Sequence, residues 1–138
     1  MTDPEIDVSI VLPAYNEQEA IGPVLCRLMA QLETLPQRHE VLVVSDGSTD
    51  GTAAVVRAAA PSVRVVEHPY NLGNGAAVKS GIRNARGAVV VIMDADGQHD
   101  PADIPRLLAE CDRYDMVVGA RGRASQAGWH RSLANSLY

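Results

Sequence analysis

The chain is short of cysteine, of long apolar runs and of excess positive charge, and each shortage removes a class of function. Cysteine occurs only at Cys26 and Cys111, both inside helical-looking segments. Two such residues make no disulfide framework, and with no signal peptide visible the expected setting is a reducing cytosol. Both thiols read as small apolar core residues. No apolar stretch approaches the roughly 20 residues that span a bilayer. Work at a membrane would therefore put this part of the protein on its cytoplasmic surface, as a peripheral association. The formal net charge is −5, which argues against nucleic acid as a partner. Internal repeats, low-complexity tracts and long linkers are missing too.

What is present fits one ordinary globular domain. A length of 138 residues gives one buried core and no room for a second, so residues 1–138 read as a single domain. Short β-rich runs alternate with longer helical stretches. Strands are predicted at Val8–Leu12, Glu40–Val44, Val63–Val66, Ala88–Met93 and Met116–Gly119. Most are continuous apolar runs, as central strands covered on both faces require. The first helix carries Ile21, Val24, Leu25, Leu28, Met29, Leu32 and Leu35 near one face of a 3.6-residue period. Asn16 with Glu19 resembles a capping pair, and Pro23 suggests a kink or a delayed start. Further helices are expected over 52–60, 75–85 and 102–111.

Repeated β-α-β units imply an α/β fold: a Rossmann-like, doubly wound, mostly parallel sheet with right-handed crossovers. Residues 128–138 read as the start of another amphipathic helix with no stop signal. That pattern is expected of a domain truncated at its C-terminus, and a fragment exposing part of its core would favour pairing as a homodimer.

Polar, small and acidic residues gather directly after three of the strands. They are Pro13-Ala14-Tyr15-Asn16-Glu17, then Ser45-Asp46-Gly47-Ser48-Thr49-Asp50-Gly51-Thr52, then Asp94-Ala95-Asp96-Gly97-Gln98-His99-Asp100. Open parallel sheets bind ligands outside the carboxyl ends of their strands, where strand order reverses. All three clusters are therefore expected to line one crevice. Asp94 and Asp96, one residue apart at a strand exit, suit a hard divalent cation such as Mg²⁺ or Mn²⁺, with Gln98 as a neutral oxygen ligand. Without a cation, such an acidic pair would repel itself. Asp100 before Pro101 fits either that site or a helix N-cap.

Asp46 stands where doubly wound folds often place an acid that accepts hydrogen bonds from a nucleotide; an Asx turn into Gly47 is the alternative. Ser48, Thr49 and Asp50 fit that turn and the next helix's cap better than ligand contact. Asn71-Leu72-Gly73-Asn74-Gly75-Ala76-Ala77-Val78-Lys79 leads into a helix whose backbone N–H groups could face a diphosphate. Its glycine spacing is neither the dinucleotide fingerprint nor a P-loop. Lys79 fits a phosphate contact or a solvated surface, and Arg121 fits a phosphate grip or a salt bridge to a loop aspartate. His68 and His99 have no ligand-like spacing.

Taken jointly and in order, the three clusters with Gly73-Asn74-Gly75-Ala76-Ala77 and Pro101 resemble family 2 glycosyltransferases of the GT-A fold. The similarity is greatest to the dolichol-phosphate mannose synthase and polyprenyl-phosphate glycosyltransferase branch, and it runs from about Val8 to Arg121. The resemblance implies that Pro13, Tyr15 and Glu17 border base and ribose and that Asp46 hydrogen-bonds the nucleotide. It implies that Asp94, Asp96 and Gln98 surround a divalent metal on the diphosphate, with Asp96 and Arg121 serving catalysis. Ser45 departs from the pattern, which usually has a second Asp there. Members of the family also continue well past this length, with acceptor-binding elements.

The expected reaction moves a sugar from a nucleotide-sugar donor, GDP-mannose or a UDP-sugar, to a polyprenyl or dolichyl phosphate with inversion. Two alternatives stay open: a hydroxyl acceptor in polysaccharide or glycolipid synthesis, and a non-catalytic nucleotide-sugar-binding fragment.

Overall fold

The computed structural model describes residues 5–120. They divide into two compact units, one running to Pro105 and the other beginning at Arg106. The first unit holds a four-stranded sheet, ordered β3-β2-β1-β4. Its strands are β1 (Val8–Ala14), β2 (His39–Ser45), β3 (Arg64–Glu67) and β4 (Val89–Ile92). Every neighbouring pair is parallel: Val8 stands opposite His39 and Val89, and Leu42 opposite Arg64.

The helices are α1 (Ile21–Leu32), α2 (Thr52–Ala59), α3 (Asn74–Asn84) and α4 (Ile104–Glu110), the last preceded by a 3-10 turn at Pro101–Asp103. The chain steps outward from β1 to β2 to β3, then crosses back to place β4 on the other side of β1. With right-handed crossovers, α1 and α2 cover one face and α3 the other. The packing agrees, since α1 lies against α2 while α3 lies on β1 and β2.

The core follows from the runs seen in the sequence. All seven residues of β1 are buried, as are Val41 to Ser45 of β2. Strand alternation sends Val11, Leu42 and Val44 to the α3 face, where they pack with Ala77. Helix α3 comes very close to the sheet there: a Cβ on Gly81 would lie 2.2 Å from Val11 Cγ1. On α1 the buried stripe is Ile21, Val24, Leu25, Leu28 and Leu32. Pro23 falls in the first turn, where its missing N–H costs nothing.

Three expectations are corrected here. Asn16 and Glu19 do not cap α1; the helix starts after Ala20 without a side-chain cap. Asn16 is instead in the left-handed region, at φ 50°. The cysteines are not core residues, for Cys26 is exposed and Cys111 partly so. The stripe through residues 21, 24, 25, 28 and 32 leaves position 26 on the solvent side of α1. Finally, residues 116–119 form no strand, and Met116 and Val118 are exposed. An apolar run becomes a strand only where a partner offers ladder hydrogen bonds, and among the described residues that run has none. In the second unit, Cys111 Sγ donates to the Leu107 carbonyl at 3.4 Å. The helix expected over residues 128–138 lies outside the described residues.

At the amino edge of the sheet a polar cluster serves stability. Glu40 accepts from Ser9 Oγ at 2.7 Å, Arg86 N at 2.7 Å and Arg64 Nη1 at 2.9 Å. Burial pushes the Glu40 carboxyl up, but these donors together outweigh it and hold the group below its ordinary value.

Candidate functional site

At the carboxyl edge the sheet opens into a crevice of about 470 Å³. It sits where strand order reverses, between β1 and β4, as the topology requires. Pro13, Ala14, Tyr15 and Glu17 line it after β1, Asp46 after β2, and Asp94, Ala95 and Asp96 after β4. Asn71, Gly73, Asn74 and Ala77 close it from the start of α3.

The first two loops are sewn together by side chains that do not line the crevice. Asn16 Oδ1 accepts from the backbone N–H groups of Thr49, at 2.8 Å, and Asp50, at 3.3 Å. Asn16 N donates to Ser48 Oγ at 3.1 Å, Glu17 N to Thr52 Oγ1 at 3.0 Å, and Gln18 N to Asp50 Oδ2 at 3.2 Å. Asp50 also accepts from the Thr52 hydroxyl and from Thr52 N. These bonds fit the reading of Ser48, Thr49 and Asp50 as turn residues but not as the cap of α2, which starts after Gly51 without a side-chain cap. Their effect is to present Tyr15 and Glu17 to the crevice. Ser45 is buried and donates to Ser48 Oγ at 2.9 Å, so its hydroxyl joins the same network.

Asp46 is 3% exposed, yet it borders the crevice. Its Oδ1 accepts from Leu72 N at 2.9 Å and faces His68 Nδ1 at 2.8 Å, while Oδ2 accepts from Gly73 N at 2.9 Å. Burial alone would raise its carboxyl, but Leu72 N–H, His68 and Gly73 N–H outweigh burial and lower it. The loop ahead of α3 is therefore tied to the end of β2. Gly47 makes that approach feasible: its φ is 67°, and a Cβ there would lie 2.2 Å from the Tyr70 carbonyl carbon. Two of the backbone N–H groups expected to face a diphosphate, those of Leu72 and Gly73, are thus spent on Asp46. The first turn of α3 retains its own N–H groups, since Gly73 supplies no side-chain cap.

After β4 the Asp94 carboxylate is about half exposed and Asp96 is exposed. Asp96 Oδ1 accepts from Gln98 N at 3.0 Å. His99 folds back over the turn, its Nδ1 accepting from Asp94 N at 3.0 Å. Glu17 lies near enough to Asp96 for its carboxyl to be raised, first by burial, then by the charges of Asp96 and Asp50. Asp100 caps the 3-10 turn by accepting from Ala102 N at 2.9 Å, which favours the cap over the site. Lys79 is exposed on α3, away from the crevice lining.

Of the residues singled out from sequence, Pro13, Tyr15, Glu17, Asp46, Asp94 and Asp96 meet in one crevice. Gln98 is not part of its lining, and Arg121 lies outside the described residues. Among those described, no group of three or more His, Cys, Asp or Glu is placed to hold a metal by itself. Sequence reasoning missed the His68–Asp46 pair, because hydrogen bonding between residues 22 positions apart leaves no local pattern.

A sequence model of glycosyl transferase family 2 matches residues 9–137. The chain belongs to that family. It is 38% identical over 122 residues to a dodecaprenyl-phosphate galacturonate synthase of Rhizobium johnstonii, a match covering 84% of this chain and 36% of that one. It is 37% identical over 134 residues to an undecaprenyl-phosphate 4-deoxy-4-formamido-L-arabinose transferase of Edwardsiella ictaluri, covering 94% and 41%. The chain thus spans less than half the length of these relatives. Among solved structures it resembles a Pyrobaculum calidifontis mannosyltransferase in complex with GDP-Man and Mn²⁺. There the TM-score is 0.61 at 32% identity, over 75% of this chain and 32% of that one. Family membership and the doubly wound GT-A-like fold thus agree with the reading from sequence.

Proposed function

We propose that this chain is the donor-binding half of an inverting, metal-dependent transferase that moves a sugar from a nucleotide-sugar to a polyprenyl phosphate. The observation that carries the reading is the meeting of Asp94, Asp96, Asp46 and the first turn of α3 in one crevice at the switch point. The named relatives act on dodecaprenyl and undecaprenyl phosphates, which supports the acceptor class.

The donor set suits Mg²⁺ or Mn²⁺. Such ions are commonly held by one or two carboxylates, the remaining positions going to water and substrate phosphate. Asp94 and Asp96 are two hard carboxylates on an open edge, and a mannosyltransferase of similar fold carries Mn²⁺ with its donor. Bound there, the ion would neutralise charge on the departing diphosphate as a Lewis acid. Pro13, Tyr15 and Glu17 border the base and ribose, Asp46 accepts a hydrogen bond from the nucleotide, and the first turn of α3 offers N–H groups to phosphate. Gln98 and Arg121 keep the metal-side and phosphate roles that the resemblance gives them. A polyprenyl phosphate is largely ionised near neutrality, since a phosphate monoester's second pKa is about 6, so its attack needs no protein base. Association with a membrane surface follows from such an acceptor, and the cytoplasmic face is the one proposed. Among the described residues, no helix is long and apolar enough to cross one.

One observation favours a second reading. A hydroxyl acceptor needs a general base, and Glu17 is a crevice carboxyl made more basic by burial and by its acidic neighbours. A transfer assay separates the two. The full-length protein is given labelled donor, Mn²⁺ and either undecaprenyl phosphate or undecaprenol. The proposal expects label on the phosphate only; label on the free hydroxyl would support the second reading instead.

A further inference from the structure

Behind the crevice lies a buried histidine that the proposed chemistry does not use. His68 follows β3, its side chain is 9% exposed, and both ring nitrogens are engaged. Nδ1 is 2.8 Å from Asp46 Oδ1, and Nε2 is 2.7 Å from Ser80 Oγ on α3. A carboxylate only accepts, so Nδ1 carries the proton and donates it to Asp46; in the neutral ring Nε2 then accepts from the Ser80 hydroxyl. The relay therefore runs from the middle of α3, past the end of β3, to the end of β2.

Counting acceptors shows what the relay leaves open. Oδ1 of Asp46 accepts from both Leu72 N and His68, which fills its two lone-pair positions. Oδ2 accepts from Gly73 N, so one acceptor position remains on a carboxylate that borders the crevice. A carboxylate's terminal torsion is soft and broad. Fixing that last position therefore depends on the donors that grip the other three.

We infer that His68 is a positioning residue: it locks Asp46 so that the remaining acceptor position reads a single N–H or O–H on the base or ribose of a nucleoside diphosphate. His68 touches no ligand itself. The inference rests on the nucleotide-sugar reading above for its ligand, but not for the link between His68, Asp46 and the 71–73 loop.

The experiment uses His68→Ala, His68→Asn and Ser80→Ala with two readouts. One is calorimetric affinity for UDP, GDP and inorganic pyrophosphate, each with Mn²⁺. The other is hydrogen exchange at the Leu72 and Gly73 amides without ligand. Loss of a hydrogen bond to a charged acceptor predicts that His68→Ala weakens the favoured nucleoside diphosphate about tenfold. Pyrophosphate, which has no base or ribose, should bind as before. Exchange at the two amides should quicken by about the same factor. His68→Asn, whose amide nitrogen can stand in for Nδ1, should recover most of both effects, and Ser80→Ala should lose about threefold. Equal loss of pyrophosphate and nucleotide would overturn the inference, since general damage moves both. So would parent-like nucleotide affinity or unchanged exchange in His68→Ala. If the parent bound neither UDP nor GDP, the nucleotide reading would fall, while the exchange data would still decide whether His68 holds Asp46.

Discussion

At the scale of single residues, the site separates side chains free for a ligand from those spent on the fold. Asp96 belongs to the first group: it is exposed, and its Oδ1 accepts from Gln98 N. Asp96→Asn keeps an oxygen for that bond and removes the charge. The expected outcome is loss of metal-dependent donor binding with an unchanged circular dichroism spectrum and melting temperature. Donor binding as strong as the parent's in the presence of Mn²⁺ would remove Asp96 from the metal site. Asp46 belongs to both groups, and its titration is linked to stability. Its carboxyl lies below 3.8 in the folded state, so the unfolded chain takes up the proton first as pH falls. That stabilisation is complete well above pH 3.8 and is lost as pH drops through the folded value. Asp46→Asn should accordingly be less stable at pH 7, and the gap to the parent should narrow towards pH 3 in urea unfolding. A gap independent of pH would show that the carboxylate's charge is not what the loop depends on.

Among the elements, close approach at two glycines governs how α3 and the loop ahead of it pack on the sheet. Gly81 brings α3 onto β1, with Val11 Cγ1 in the space a Cβ would take. Alanine there would gain about 1 kcal/mol of helix propensity. Overpacking against a stiff, β-branched neighbour costs about 1–3 kcal/mol. At a separation of 2.2 Å the overlap should win, so Gly81→Ala is expected to destabilise the chain. Adding Val11→Ala should recover part of the loss, as a double-mutant cycle would reveal; simple additivity would mean that the two sites do not press on each other. Gly47→Ala carries both a left-handed φ and an overlap with Tyr70, and a loss of about 1–3 kcal/mol is expected in denaturant unfolding.

Elements of this kind also mark how far the sequence could be read. The strands β1 and β2 were visible because buried parallel strands leave continuous apolar runs, the partly buried edge strands β3 and β4 because theirs are short and β-branched, and α1 because it leaves a 3.6-residue stripe. The acidic and small residues behind them located the crevice, because topology alone sends strand ends to one edge. Tertiary hydrogen bonds were not visible. Asn16 looked like a cap for its own helix, yet it bonds a loop more than 30 residues away, and Asp46 is held by His68 and residues 72–73. Nor does apolar character reveal whether a run has a partner, which is why residues 116–119 read as a strand.

For the molecule as a whole, the amino edge of the sheet is closed by the Ser9–Glu40–Arg64 cluster while the carboxyl edge stays open and acidic. An open acidic edge suits a ligand that arrives as an anion only if a cation arrives with it, because Asp94, Asp96 and Glu17 would otherwise repel a diphosphate. Metal dependence of donor binding is therefore the central claim, more so than the identity of the sugar. The most direct measurement is calorimetric titration of this chain with GDP-mannose, UDP-glucose and UDP-N-acetylglucosamine, each with and without Mn²⁺. One donor is expected to bind when Mn²⁺ is present and none when it is absent. Equal binding with and without the metal, or no binding of any donor in its presence, would contradict it.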